Sequence, residues 1–364
     1  DDALMDSKRK EEATLREKVA SDPALKTLAG SAWDDMAKAQ TAYRNQVVPY
    51  TFIETTAGFN SELYRYARAL VRAAAERAKP NEERFREYTN AALPQLEQYM
   101  KADTPVYPSL DKLTLSFSLE RMREWLGPDA SIIKSVLGNE SPDTLAARLV
   151  DGSKLGDAKV RAQLWDGGAA AVNASQDPMI ALARKVDPDA RAIRKRYEDE
   201  VEAPTRIASE RIAKARFKIL GTSTYPDATF TLRLNFGKVE AWVEKGEPVD
   251  PFTTLKVAYE RTTGLKPFAM PPRWVEMKNS LDLSTRFNLS TNNDIVGGNS
   301  GSPLVNARGE LVGLMFDGNI HSISGSYWFD TEKNRAIAVD PTIMKEALTR
   351  VYHADALVKE ISGR

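Results

Sequence analysis

"NDIVGGNSGSPLVNARGELVGLMFDGN", residues 293–319, sets a serine between two glycines and continues with two apolar stretches joined by "NARG". Gly297, Gly298 and Gly301 let the backbone turn sharply and approach a substrate carbonyl without a side chain in the way. Ser300 is therefore a candidate nucleophile, and the amides of Gly298 and Ser300 are candidate donors to an oxyanion. An ordinary Gly/Ser/Asn turn between strands is the competing interpretation. A nucleophilic serine needs a base, yet the chain holds two histidines, His321 and His353, both after the serine.

The residues after Ser300 separate two hydrolase architectures. An α/β-hydrolase elbow reads G-x-S-x-G and enters a helix, with an acid and then a histidine downstream. Here the final glycine of that pattern is Ser302, and Pro303 opens strand, turn at Asn306 to Gly309, and strand. The order Ser300, Asp330 or Asp340, His353 imitates such a triad on paper. His353, however, falls inside an expected closing helix, in "RVYHADALV", and His321 reads as a surface or pocket-rim residue. A chymotrypsin-like double barrel has the opposite order, His and Asp before Ser. That order places the base upstream of residue 1.

The rest of the chain divides near residue 220. Up to about Arg216, apolar residues recur at three and four, as in "ELYRYARALVRAAAERAKP", predicting eight to ten helices. Asp22-Pro23, Asn81 after Pro80, Ser141-Pro142 and Asp177-Pro178 mark helix starts. Asp187 to about Lys218 reads as a long charged helix interrupted near Pro204, its charges a solvated face. Beyond Leu220 the texture turns β-rich: "ATFTLRLNFGKVEAW" (228–242) alternates as a strand pair or one bent strand, and "GSYWFDTEKNRAIAV" (325–339) as strand, turn at Asp330 to Asn334, strand. Asp340-Pro341 caps a final helix through about Ile361.

Bulk properties narrow the function. The length, 364 residues, accommodates two domains, expected at 1–219 and 220–364. Fifty-one basic residues balance fifty-one acidic ones, so neither nucleic acid nor an anionic membrane is an expected partner. Absence of Cys excludes disulfides, thiol catalysis and Cys-ligated zinc, and with two histidines no metal or other cofactor is expected. No apolar run approaches the roughly 20 residues of a membrane span. The start, "DDALMDSKRKEE", carries neither Met nor a signal-peptide pattern, as expected of a mature protein or a fragment.

"GGNSGSPLVNARGELVGLMFDGN", "YWFDTEKNRAIAVD" and "TSTYPDATFTLRL" (222–234) together resemble the C-terminal half of the bacterial dipeptidyl-peptidase 7/11 family, serine exopeptidase family 46. The resemblance implies an α+β chain: most of an inserted helical domain that roofs the active-site cleft, then the second, antiparallel β-barrel of a chymotrypsin-like pair with a C-terminal helix. It implies Ser300 as nucleophile, the Gly298 and Ser300 amides as oxyanion hole, and Asp317 as the partner of the substrate α-amino group. Gly318 stands where acidic-preferring members carry arginine, which implies an open apolar pocket and cleavage after hydrophobic P1 residues. The triad His and Asp belong to a first barrel that this chain lacks, so the chain alone is expected to be nearly inactive. Asn299 replaces the aspartate of zymogen-activated relatives, which argues against activation by a new N-terminal ammonium. A periplasmic or cell-surface homodimer of a Gram-negative bacterium, acting on peptides with a free N-terminus, completes the expectation. The alternatives are an inactive peptide-binding module, or a self-contained Ser300/His353 hydrolase.

Overall fold

The computed structural model describes residues 2–221, 232–325 and 328–363. The chain forms two units, Lys8–Thr224 and Tyr225–Arg364, the latter counted together with Asp1–Ser7. Among the described residues no helix is long and apolar enough to cross a membrane.

The first unit is helical. Its elements are α1 (Asp2–Ser21), α2 (Pro23–Ala29), α3 (Ala32–Pro49), α4 (Glu62–Glu76), α5 (Leu93–Lys101), α6 (Pro108–Leu126), α7 (Ser131–Leu137), α8 (Pro142–Gly152), α9 (Ala158–Ala174), α10 (Pro178–Tyr197) and α11 (Ala203–Leu220). The expected caps act as caps: Asp22 accepts from the Ala24 and Leu25 amides, Ser141 from Thr144, and Asp177 from Met179 and Ile180. Asn81 begins only a single 3₁₀ turn. The core joins Leu63 and Leu70 of α4 to Leu115 and Leu119 of α6, Leu145 of α8 and Ile180 of α10. Each such side chain contributes about 1.5–3 kcal/mol on burial.

The long charged stretch departs from its expected solvated role. A wide helical turn at Glu198–Glu202 interrupts it just before Pro204, where a ring without an N–H opposes a regular helix. N-terminal to that turn Asp187, Arg191 and Arg194 face inward, whereas Asp189, Lys195 and Arg196 stay exposed as expected. Arg72 on α4 is fully buried; its Nη1 donates to Glu54 at 2.8 Å and its Nε to Asp187 at 2.7 Å. Asp187 also accepts from Arg191 at 2.6 Å, and Arg191 reaches buried Glu76. A charge leaves water only when paired and hydrogen-bonded. Here Asp187 and Arg191 supply the pairing that allows Arg72, Glu54 and Glu76 to sit inside.

The second unit carries β1 (Trp242–Glu244), β2 (Glu247–Val249), β3 (Phe252–Thr254), α12 (Leu255–Glu260), α13 (Pro272–Met277), β4 (Arg286–Thr291), β5 (Pro303–Val305), β6 (Leu311–Gly318), β7 (Ala336–Val339), α14 (Pro341–Glu346) and α15 (Asp355–Ile361). β1 and β2 form a hairpin; the other strands form one antiparallel sheet in the order β3-β4-β7-β6-β5. The turn between β5 and β6 is the expected one: Asn306 Oδ1 accepts from the Arg308 and Glu310 amides, and Gly309 takes a φ of 77°.

The expected barrel is not shown, and two expectations change. Among the described residues the sheet is open, with three-residue strands β3 and β5 at its edges, and closes no barrel. Of the alternating stretch 228–242, residues 228–231 lie outside the described residues. From 232 the chain makes only the isolated bridge Val239–Thr291 before β1 begins, and Leu232, Leu234 and Phe236 are exposed. In 325–339 the expected first strand lies partly outside the described residues and Trp328–Asp330 is not strand, whereas the second is β7.

The closing helix is also broken. Asp340 caps α14 by accepting from the Thr342 amide. His353 then takes a φ of 52°, and the Ala354 amide donates to Leu348 O at 2.7 Å. That return, one residue wider than a Schellman closure, with a left-handed residue beside it, ends the helical segment. His353 therefore terminates a helical segment and lies exposed ahead of α15.

Candidate active site

The Ser300 loop runs from the end of β4 into β5, and its turn is fastened from both sides. Asn299 Oδ1 accepts from the Val296 amide at 3.0 Å, while the Asn299 amide donates to Val296 O at 3.1 Å. Downstream, the Gly301 amide donates to Met315 O at 2.7 Å and the Met315 amide to Ser302 O at 3.0 Å, extending the β5–β6 ladder back to the residue after the serine. Gly298 and Gly301 have φ values of 107° and 81°, where a Cβ would be strained. These constraints leave Ser300 exposed at the head of the ladder. Among the described residues neither the Gly298 nor the Ser300 amide donates a hydrogen bond.

β6 supplies the other wall. Its pairing with β7 skips a residue between Met315 and Asp317, so Phe316 is the extra residue of a β-bulge. A bulge locally breaks the in-out alternation: Met315 is buried, whereas Phe316 and Asp317 are both exposed in succession. Phe316 O lies 3.5 Å from Ser300 Oγ. Asp317 Oδ1 accepts from the Gly318 amide at 2.8 Å.

Ser300, Asp317 and Gly318 line one cavity of about 490 Å³ with Ile295, Val296 and Phe316, a size that suits a few side chains of a ligand. The 3₁₀ turn Ile320–Ser324 closes it, contributing Ile320 and Ile323. Asp317 is the one ionisable group among the described lining residues. The lining is thus largely apolar, with the Asp317 carboxylate, the hydroxyls of Ser300 and Ser322 and the side-chain amides of Asn299 and Asn319, and the undirected Gly298 and Ser300 amides belong to the loop beside it.

The structure brings Ser300, Asp317 and Gly318 to one cavity with Gly298 in the same loop, and among the described residues pairs neither histidine with Ser300. His321 Nε2 is 2.7 Å from Glu244 Oε2 on β1, which holds the Glu244 carboxyl below its usual range. His353 is exposed in the break before α15.

Gly318 lines the cavity, but the space over its Cα is taken: an added Cβ would meet Ser322 Cβ at 2.5 Å. Two further residues shape this wall without a signal in the sequence pattern. Buried Arg335 donates to the Ala241, Thr331, Asn334 and Glu332 carbonyls, and Asn319 Nδ2 donates to Lys333 O at 2.7 Å. "KNRAIAV" places an arginine directly before an apolar strand, the one hint that it is buried.

Known proteins give this arrangement a setting. The chain is 41% identical over 129 residues to a dipeptidyl-peptidase 7 of Capnocytophaga gingivalis, a match covering 32% of this chain and 18% of that protein. It is 28% identical over 368 residues to an Asp/Glu-specific dipeptidyl-peptidase of Shewanella putrefaciens, covering 88% of this chain and 49% of the relative. The fold is similar to that of crystalline Porphyromonas endodontalis DPP11 in complex with the dipeptide Arg-Glu, with a TM-score of 0.69 at 19% identity over 98% of this chain and 53% of that one. The chain thus spans at most about half the length of these relatives. The sequence pattern of Peptidase S46 matches residues 1–363, and the chain belongs to the Peptidase S46 family.

Proposed function

We propose that this chain is the nucleophile-bearing part of a serine dipeptidyl aminopeptidase that releases dipeptides from the free N-terminus of oligopeptides. The observation that carries this is the pairing, in one apolar cavity, of an exposed serine beside two undirected amides with a lone carboxylate. Ser300 Oγ attacks the carbonyl carbon of the second residue and forms an acyl-enzyme. The Gly298 and Ser300 amides receive the oxyanion as it develops, and water then releases the dipeptide. Asp317 pairs with the substrate ammonium, which rewards a free N-terminus and fixes the cut at two residues. The P1 side chain enters the apolar space between the loop and the Ile320–Ser324 turn, so hydrophobic P1 residues are preferred.

The base and its orienting acid come from a part of the protein outside these residues. Two features support this: among the described residues neither histidine hydrogen-bonds Ser300, and Leu232, Leu234 and Phe236 are exposed. In this reading the sheet is part of the second barrel of a chymotrypsin-like pair, and the protein acts as a homodimer in the periplasm or at the cell surface.

The test is the naturally produced protein against its Ser300→Ala variant, with dipeptidyl-coumarin substrates carrying Leu or Asp at P1. Turnover of the Leu substrate that is lost in the variant supports the proposal. Undiminished turnover in the variant refutes it. A second reading, an inactive peptide-binding module, is favoured by the lack of a base beside Ser300; it expects binding of peptides with free N-termini and turnover of neither substrate.

A further inference from the structure

Ser322 holds a place that a side chain at position 318 would need. A Cβ built on Gly318 comes within 2.5 Å of Ser322 Cβ and 2.6 Å of Ser322 Oγ, far inside the roughly 3.5–4.0 Å at which carbon atoms pack. Ser322 is not free to retreat. Its amide donates to Asn319 O at 2.9 Å, and its hydroxyl lies 3.2 Å from Asn319 Oδ1 and 3.3 Å from Arg335 O. The Gly325 amide returns to Ser322 O at 2.9 Å. Asn319 is itself fixed, its amide donating to Arg335 O at 2.8 Å and its Oδ1 accepting from the Arg335 amide at 3.2 Å. The arginine behind them is 2% exposed, with its guanidinium spread over backbone carbonyls. The turn is therefore braced against the interior at the point where Gly318 meets it.

We infer that Ser322 is a specificity-determining residue: by closing position 318 to any side chain it keeps a cation out of the pocket, so selectivity for apolar over acidic P1 residues resides in the Gly318–Ser322 pair and not in Gly318 alone. This rests on the proposal that the cavity receives P1. A cation can enter at 318 to meet an acidic substrate only when residue 322 gives up its side chain.

Two readouts test it. On the full-length protein, thermal midpoints are measured for Gly318→Ala, Ser322→Gly and the pair. Gly318→Ala is expected to lose about 5 °C from overpacking, and the pair to be no less stable than Ser322→Gly alone; shifts that simply add overturn the steric claim. In the naturally produced protein, kcat/KM is measured on Leu and Asp P1 substrates for wild type, Gly318→Arg and Gly318→Arg with Ser322→Gly. The single variant is expected to lose Leu turnover without gaining Asp turnover, and the double variant to gain about tenfold or more on Asp. A single variant that gains as much as the double overturns the inference. Wild type that cleaves neither substrate overturns the peptidase proposal and the selectivity role with it, while the stability cycle separately decides the packing.

Discussion

Replacing Asp317 by Asn should separate the role of its charge from its role in the fold. Asp317 Oδ1 accepts from the Gly318 amide at 2.8 Å, and an asparagine oxygen accepts that bond equally well, so the bulge and its hairpin should persist. What is lost is the carboxylate charge at the cavity. A hydrogen bond to a charged group contributes about 1.5–3 kcal/mol, which corresponds to roughly 10- to 150-fold in kcat/KM. Because Asp317 is exposed, solvent screening places the expected loss near the low end, at about tenfold. The assay is steady-state hydrolysis by the naturally produced protein of a peptide with a free N-terminus and of its acetylated counterpart. The Asn variant should lose the first activity and bring the two rates closer together, with an unchanged thermal midpoint. Unaltered discrimination between free and blocked termini would refute the role given to Asp317.

Other perturbations probe the loop and the helical unit. Asn299→Ala removes the acceptor of the Val296 amide; kcat should fall by about tenfold or more with little change in KM, since the undirected amides lose their placement. Arg72→Ala removes the fully buried partner of Glu54 and Asp187 and leaves them Arg68 and Arg191, so urea unfolding should show a loss of about 1–3 kcal/mol. Burial alone would raise the Glu76 carboxyl, but hydrogen bonds from Lys79, Arg191 and the Phe85 amide outweigh it and hold it below its usual range. Its folded state thus favours the ionised form. The stabilisation is fully present above the ordinary glutamate value of about 4.3 and disappears as pH falls through the lower folded value. Acid titration of stability should show this loss, and Glu76→Gln should flatten it.

Local chemistry was readable from the chain, and long-range partnership was not. Asp22, Ser141, Asp177 and Asp340 cap helices because a short acceptor before a proline acts within three residues. The Ser300 turn and the Asn306–Gly309 hairpin are local in the same way. Arg72 and Asp187, 115 residues apart, offer no such signal, and a charged helix that pairs inward has the composition of one that faces water. The apolar alternation of 228–242 promised a strand, but a strand needs a neighbour, and for 232–241 the described residues pair only at the isolated Val239–Thr291 bridge, with β1 beginning at Trp242. At the site, the serine loop stands out by motif, whereas Asp317 is singled out only by the family resemblance and otherwise reads as an ordinary turn aspartate. The brace of Ser322 and Arg335 depends on a turn folding back over Gly318, which spacing alone does not encode.

The most direct test of the central proposal is the product pattern from an oligopeptide of mixed sequence and its N-acetylated twin, incubated with the naturally produced protein and monitored by mass spectrometry. Successive dipeptides released from the free N-terminus, each ending in an apolar residue, with the acetylated twin left intact, is the expected result. Internal cleavage, release of single residues, or equal digestion of the twin would contradict it.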